Sequence, residues 1–224
     1  MQNSFRKWNE EMYRKHPTNY SGLGGSFARF IVRMIRSLAE IQPADTVLEV
    51  GCEAGGVMLR LPRCRRLVGV DLSRTALREA RKKFESIKRN AEFLQCDASN
   101  PLPFRKGTFS VIICSQMLEH VDNPGSVIDS ILTIAEPTTR IVLSVNDEER
   151  NLKLKKLLVR LNLMHILLPT FEEGTSEWHL QRFTRSSFER LLYRRLAIIK
   201  LRYYYGLFSI ALCRVPDEET RLTQ

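Results

Sequence analysis

The chain has no long apolar run: nowhere do about 18 hydrophobic residues follow one another, so no transmembrane helix is expected. It also has no C-x-x-C pair. Its five cysteines, at 52, 64, 96, 114 and 213, are scattered, and most fall in or beside expected core strands, so they read as reduced thiols rather than a disulfide scaffold. The opening, "MQNSFRKWNEE", lacks the apolar stretch of a secretory signal, and a cytoplasmic protein is expected. Internal repeats and low-complexity tracts are absent, and 224 residues suit one domain with a substantial core. Acid is the minority charge, 25 Asp and Glu against 35 Lys and Arg, leaving a net charge of +10 that permits an anionic partner: nucleic acid, a phosphorylated lipid or sugar, or a membrane face. The basic runs, such as "REARKKFESIKR", have the look of solvated helix faces, because Leu77, Ala80, Phe84 and Ile87 form an apolar stripe opposite. No recognised nucleic-acid module accompanies them, although nucleic acid is not excluded as a partner.

What the chain does have is "TVLEVGCEAGG", Thr46 to Gly56, in which an acid, Glu49, ends an apolar run and a glycine-rich loop opens a helix. Glycine lets the backbone turn sharply and approach a ligand, and free N–H groups at a helix start attract negative charge. A second acid, Asp71 in "LVGVDLS", ends the next apolar run, where a carboxylate can accept ribose hydroxyls. A third, Asp97, closes the run in "AEFLQCDAS", and "FSVIICSQMLEHV" follows. Strands are expected at 46–50, 67–71, 92–95, 109–114, 139–145, 196–203 and 208–214, with helices at 56–61, 74–88, 124–135 and 185–195. Pro62 stops the first of these helices early. Phe5 to Lys15 and Leu23 to Ile41 read as further helices; in the second, Phe27, Phe30, Ile31, Met34, Ile35 and Leu38 would pack on the sheet with Arg29, Arg33 and Arg36 outside. The alternation is that of an α/β protein with a mostly parallel sheet and helices on both faces.

From Thr46 to Val145 the chain resembles the class I S-adenosylmethionine-dependent methyltransferases: "VLEVGC", "GVDLS", "CDASNPLPF" and "MLEHVDNP" occur in that family's order and spacing. A weaker likeness continues at "EWHLQRFTRSSFERLL". The resemblance implies a Rossmann-like seven-stranded sheet whose last strand inserts antiparallel. It also implies S-adenosylmethionine as cofactor, held by Glu49, Gly51, Cys52, Glu53, Gly55, Asp71, Leu72, Asp97, Ala98 and Ser115, with Asp71 on the ribose and Asp97 on the adenine amino group. Asp71 as a helix cap and Asp97 as a turn carboxylate are the plainer alternatives. The family's middle loop glycine is Glu53 here, which at positive φ would cost about 1 kcal/mol and whose carboxylate could pair with the cofactor's ammonium. Ser110 stands where the fourth strand commonly starts with Asp. A nicotinamide-binding fingerprint fails, because Glu53 occupies its second glycine.

The acceptor side rests on "CSQMLEHV". If helical, Gln116, Glu119 and His120 share a face. The segment is similar to the E-x-x-E-H motif of some O-methyltransferases that act with a divalent metal. Gln116 replaces the first Glu, so a metal is not expected, although Gln116, Glu119, His120 and His179 would be its ligands. Otherwise His120, with Glu119 beside it, is a general base or a structural histidine. Trp178, His179 and Arg182 could line the acceptor pocket, or Trp178 could simply plug a gap.

Five stretches follow: a helical N-terminal extension (1–45), a cofactor-binding core (46–145), a cap insertion (146–180), a C-terminal helix and strand pair (181–214) and a tail (215–224). The segment before the helix at Leu23 to Ile41 could fold over the cofactor as a lid. Within the insertion, Leu154, Leu157, Leu158, Leu161 and Met164 share a helical face flanked by lysines, so 152–168 reads as a pocket cap, with a membrane-surface or dimer contact as alternatives. The expected activity is methylation of a small, lipid-like or sugar-like acceptor, preferably at oxygen. RNA methylation and a non-catalytic scaffold are the alternatives, and the oligomeric state stays open.

Overall fold

The computed structural model describes residues 10–11, 22–147, 180–204 and 208–217, with backbone alone for 22–28. The strands are β1 (Thr46–Val50), β2 (Arg66–Asp71), β3 (Glu92–Gln95), β4 (Val111–Ser115), β5 (Arg140–Asn146), β6 (Ala197–Tyr204) and β7 (Phe208–Arg214). They form one seven-stranded sheet in the order β3-β2-β1-β4-β5-β7-β6. Pairs β1/β2, β1/β4, β2/β3 and β4/β5 are parallel. β7 runs antiparallel to both β5 and β6, as the family resemblance implies.

Side-chain alternation along the strands sorts the core into two layers. Val47, Val111, Ile113 and Val142 pack beneath Ile31, Ile35 and Leu38 of α1 (Gly22–Ala39) and Leu77 and Phe84 of α2 (Arg74–Ser86). Leu48, Ile112, Cys114, Ile141 and Leu143 face the opposite way, against Ile128 and Ile131 of α3 (Pro124–Ile134) and Phe188 and Leu192 of α4 (Arg185–Tyr193). Arg29, Arg33 and Arg36 are exposed on α1, as its periodicity requires.

The helices begin where capping chemistry permits. Ser73 Oγ accepts from Ala76 N at 3.1 Å at the start of α2, and Asn123 Oδ1 accepts from Gly125 N at 3.0 Å ahead of Pro124 in α3. Thr184 and Ser187 form a reciprocal capping box on α4. Ile87, expected in the stripe of α2, is instead 54% exposed. The helix ends at Ser86 and Lys88 turns left-handed at φ 51°, which swings Ile87 off the buried face.

Two contacts tie remote segments to this frame. Glu10, in a helical pair with Glu11, accepts from Arg74 N at 2.5 Å, Thr75 N at 3.2 Å and Ser73 Oγ at 3.3 Å, so an acid sits on the positive end of α2. The remainder of the proposed lid, 1–9 and 12–21, lies outside the described residues. At the opposite end of the central strands, ahead of β1, Asp45 Oδ1 accepts from Arg140 Nη2 at 2.6 Å and Ser110 Oγ at 2.7 Å, and Oδ2 accepts from Gln42 N at 2.6 Å. Arg140 also donates to the carbonyls of Ala39 and Glu40 at the end of α1. Ser110 thus takes part in a carboxylate network whose acid is Asp45.

Burial alone would raise the Asp45 pKa, but the bonds from Gln42, Ser110 and Arg140 outweigh it and hold the group below the usual carboxylate range. A depressed carboxylate contributes stability that is present above its unfolded pKa, about 3.9, and lost as pH falls through the folded value. Arg140→Ala is expected to lower unfolding free energy at pH 7 by about 2 kcal/mol and to weaken the acid dependence below about pH 4. Urea titrations of both proteins across that range are the check; parallel curves would remove the network from the stability account.

Candidate cofactor and acceptor site

The site is built where β1, β2, β3 and β4 end, beside the point at which the strand order reverses around β1. Val50 and Val70 are register partners, so the chain leaving β1 meets the end of β2 at once. Gly51 N and Cys52 N both donate to Val70 O, at 2.8 and 3.0 Å. Gly51, Glu53 and Gly55 are left-handed, at φ 73°, 47° and 73°. A Cβ on Gly51 would lie 2.4 Å from Met117 Cγ, and one on Gly55 would lie 2.9 Å from Phe84 Cε2, so both positions need glycine for space as well as for φ.

The helix expected over 56–61 is a short 3-10 turn, Met58–Arg60. Left-handed turning occupies the loop through Gly55, and Pro62 forces Leu61 to an extended ψ of 154°, which leaves no room for an α-helix. The anion-attracting helix start expected there is therefore not built.

The acids sit as the sequence order suggests, at the ends of successive strands. Glu49 is 2% exposed, and its Oε2 has no hydrogen-bond partner among the described residues. Burial pushes its pKa well up, and the fields of Glu53 and Asp71 push it further, against one backbone N–H from Met58. Asp71 Oδ2 accepts from Glu53 N at 2.9 Å and Oδ1 from Ser73 N at 2.8 Å. Its pKa rises to about 6, first from burial, with Glu53 and Glu10 adding to the shift against the two N–H bonds. Asp97 is half-buried and accepts from Ser99 N at 2.9 Å, the geometry of a turn carboxylate. Cys52 and Ala98 are buried and Leu72 is half-buried.

Three further residues belong to this region. Cys96 N donates to Asp71 O at 3.1 Å, and its thiol pKa is raised to about 11 by burial and then by the charges of Asp71 and Asp97. Met117 packs on Gly51, and Glu10 reaches Asp71 by charge. Met117 stood inside a quoted motif; Glu10 carried no local signal.

These residues fit a nucleoside cofactor that carries a cationic amine. Glu49 Oε2 is a buried acceptor awaiting a donor, and each Asp71 oxygen keeps one lone pair beyond its backbone bond. An ammonium and a pair of ribose hydroxyls are donors of the required kind.

The acceptor side differs from a helix with one reactive face. Gln116 is left-handed at φ 55°, and only Leu118–His120 form a 3-10 turn, so Gln116 does not share an α-helical face with Glu119 and His120. Gln116 Nε2 donates to Ser144 Oγ at 3.2 Å, and Ser115 Oγ lies 2.8 Å from the same hydroxyl. Glu119, expected as a reactive acid, is fully buried: Oε1 accepts from Asn146 N at 2.6 Å, and its backbone carbonyl accepts from Gln181 N. It joins the ends of β4 and β5 to the returning chain, and burial raises its pKa despite His120 nearby. His120 is half-buried, with its N–H on Met117 O at 3.0 Å. Among the described residues no group of three metal-ligating side chains is brought together. Arg182 is exposed; Trp178, His179 and the 152–168 helix fall outside the described residues.

Residues 47–138 match the family described as "Methyltransferase domain". A ubiquinone biosynthesis O-methyltransferase of Alkalilimnicola ehrlichii is 29% identical over 164 residues, which cover 72% of this chain and 63% of that protein. The chain spans about three fifths of the length of the curated relatives it matches first. Among solved structures, a protein of Pyrococcus horikoshii superposes with a TM-score of 0.67 at 19% identity, covering 92% of this chain and 99% of the other. Magnesium protoporphyrin IX methyltransferase of Synechocystis, solved with bound S-adenosylhomocysteine, gives a TM-score of 0.66 at 14% identity over 96% of this chain and 97% of its own. Strand order, the antiparallel β7 and the matched residues 47–138 lead to one conclusion: these residues carry a methyltransferase domain, set in a seven-stranded α/β sheet like that of the class I S-adenosylmethionine-dependent enzymes the chain resembles.

Proposed function

We propose that the protein transfers the methyl group of S-adenosylmethionine to an oxygen of a small-molecule acceptor. The observation that carries the reading is the pair of buried carboxylates at adjoining strand ends, Glu49 with an oxygen that has no partner among the described residues and Asp71 with spare lone pairs. The names of the relatives, O-methyltransferases of ubiquinone biosynthesis, support oxygen as the target atom and a lipid-like phenolic acceptor as the class to try.

When bound, the cofactor supplies a methyl made electrophilic by its sulfonium, so the protein's task is geometry and exclusion of water. Glu49 would accept from the ammonium, Asp71 from the ribose hydroxyls and Asp97 from the adenine amino group, with buried Ala98 beside it. The left-handed loop brings backbone, rather than side chains, against the ligand. On the acceptor side His120 takes the proton of the attacking hydroxyl as general base. Glu119 is a positioning residue: through Asn146 N it fixes the end of β5 against the turn that carries His120. Ser115, Gln116 and Ser144 form a neutral wall at the end of β4, suited to orient a hydroxyl without metal.

Calorimetric titration with S-adenosylmethionine, followed by mass spectrometry of reactions with prenylated catechols and simple phenols, tests the assignment. Saturable binding with a methyl-mass gain on oxygen is the expected result; binding without methylation of any acceptor would favour the non-catalytic scaffold. Because Asp71 must be ionised to accept, cofactor affinity is expected to fall by up to tenfold per pH unit as pH drops below about 6. Asp71→Asn should weaken binding by about 1.5–3 kcal/mol and flatten that profile. His120→Ala should cut turnover at least ~100-fold with cofactor affinity nearly unchanged, whereas equal losses in both would make the histidine structural.

A further inference from the structure

The first turn of α2 is held by two acids from different parts of the chain. A helix leaves its first four N–H groups without intrahelical partners. Here they belong to Ser73, Arg74, Thr75 and Ala76, since Leu77 N is the first to bond within the helix, to Ser73 O at 3.1 Å. Ser73 N donates to Asp71 Oδ1 at 2.8 Å, and Ala76 N donates to Ser73 Oγ at 3.1 Å. The two between them, Arg74 N and Thr75 N, donate to Glu10 Oε1 and Oε2 at 2.5 and 3.2 Å, and Ser73 Oγ donates to the same Oε2 at 3.3 Å. All four groups are thereby satisfied. Asp71 and Ser73 are local acceptors, whereas Glu10 lies 64 residues upstream of Arg74. Ser73 is fully buried at this junction, so the acid assigned to the ribose and an acid of the N-terminal segment hold one residue from two sides.

Asp71 can serve ribose hydroxyls only while its carboxylate keeps one orientation. Oδ2 is fixed by Glu53 N at 2.9 Å, and Oδ1 by Ser73 N. The backbone of this corner is tied to β3, with Cys96 N donating to Asp71 O at 3.1 Å and Gln95 Nε2 to Leu72 O at 2.9 Å. We propose that Glu10 is a positioning residue for the cofactor: it braces the corner from Asp71 to Ser73 against the start of α2, and its engagement there and cofactor binding favour each other. The inference rests on the cofactor reading above and deepens it, naming a residue that acts on the ribose acid through Ser73. A brace from a remote segment differs from a local cap, because it can leave while the helix keeps the Ser73 cap on Ala76 N. A corner already ordered costs the ligand less to bind, and by reciprocity the bound ligand holds the brace in place.

Hydrogen exchange of the full chain, read on peptides covering Ser73 to Ala76, is compared in wild type, Glu10→Gln and Glu10→Ala. Calorimetry gives the dissociation constants of S-adenosylmethionine and S-adenosylhomocysteine for the same three proteins, and melting temperatures confirm that each is folded. In wild type, S-adenosylhomocysteine should slow exchange of the Arg74 and Thr75 amides. Without ligand these amides should exchange about 10-fold faster in Glu10→Ala, and ligand should restore little of the protection. Both ligands should bind about 3- to 20-fold more weakly in Glu10→Ala, with Glu10→Gln between, since its amide keeps an acceptor but no charge. The pH profile of Glu10→Gln adds a readout that a plain helix cap would not move. Asp71 faces the acids Glu10, Glu49 and Glu53 and the thiols of Cys52 and Cys96, against the N–H groups of Glu53 and Ser73. Removing one acid lowers the Asp71 pKa, so the loss of cofactor affinity on acidification should begin at a lower pH than in wild type. Freed amides with unchanged ligand affinity and an unmoved pH profile would make Glu10 a helix cap alone and overturn the inference, as would unchanged exchange in Glu10→Ala. Failure of folded wild type to bind either ligand would bring down the cofactor assignment and this inference with it, while exchange at Arg74 and Thr75 would still report the Glu10 contact.

Discussion

Strand β1 is buried along its whole length between β2 and β4, and the site follows from how the chain leaves it. With Val50 in register with Val70, there is no space for a wide loop: the next two N–H groups bond back to Val70 O. The chain escapes by turning left-handed at alternate residues, which selects glycine at 51 and 55 on steric grounds and leaves 53 as the position where a side chain can be carried. The same packing aligns the ends of β1 and β2, so that Glu49 and Asp71 become neighbours although they are distant in sequence.

Placing those acids together opposes folding. Asp71 is raised to about 6, so its burial contributes nothing against acid and instead works against the folded state as pH rises through that value. The penalty above it is on the order of 2–3 kcal/mol relative to an ordinary aspartate. Two backbone N–H bonds moderate it without removing it. Such an arrangement makes physical sense as preorganisation for a cationic ligand, whose donors complete what the protein leaves unsatisfied.

The fold was almost wholly legible in the sequence, because buried strands flanked by amphipathic helices leave a periodicity that local chemistry does not disturb. Strand ends agree to within two residues, and the capping residues Ser73, Asn123 and Thr184 stand where the helices begin. The order of Glu49, Asp71 and Asp97 along strand ends was legible for the same reason. The failures occur where dihedral angles, not hydrophobicity, decide the outcome. The short helix after the glycine loop is reduced to a 3-10 turn by left-handed residues on one side and Pro62 on the other. Gln116, left-handed at φ 55°, breaks the shared face on which the acceptor-side reading depended. The inward orientation of Glu119 was illegible because its partner, the Asn146 N–H, belongs to another strand.

The two ends of the sheet give opposite solutions to one problem. At the end near β1's start, Asp45 is surrounded by donors from Arg140, Ser110 and Gln42, and its pKa is lowered. At the other end Glu49 and Asp71 face other acids, and their pKa values are raised. Burial disfavours the charged form at both ends but is deeper at Glu49 and Asp71, so depth of burial and the partners that the chain supplies set the difference together. A carboxylate given its full set of donors is a structural clamp. One left short of donors among the described residues, at the carboxyl end of parallel strands, works against stability, and that cost is what the proposed cofactor reading accounts for.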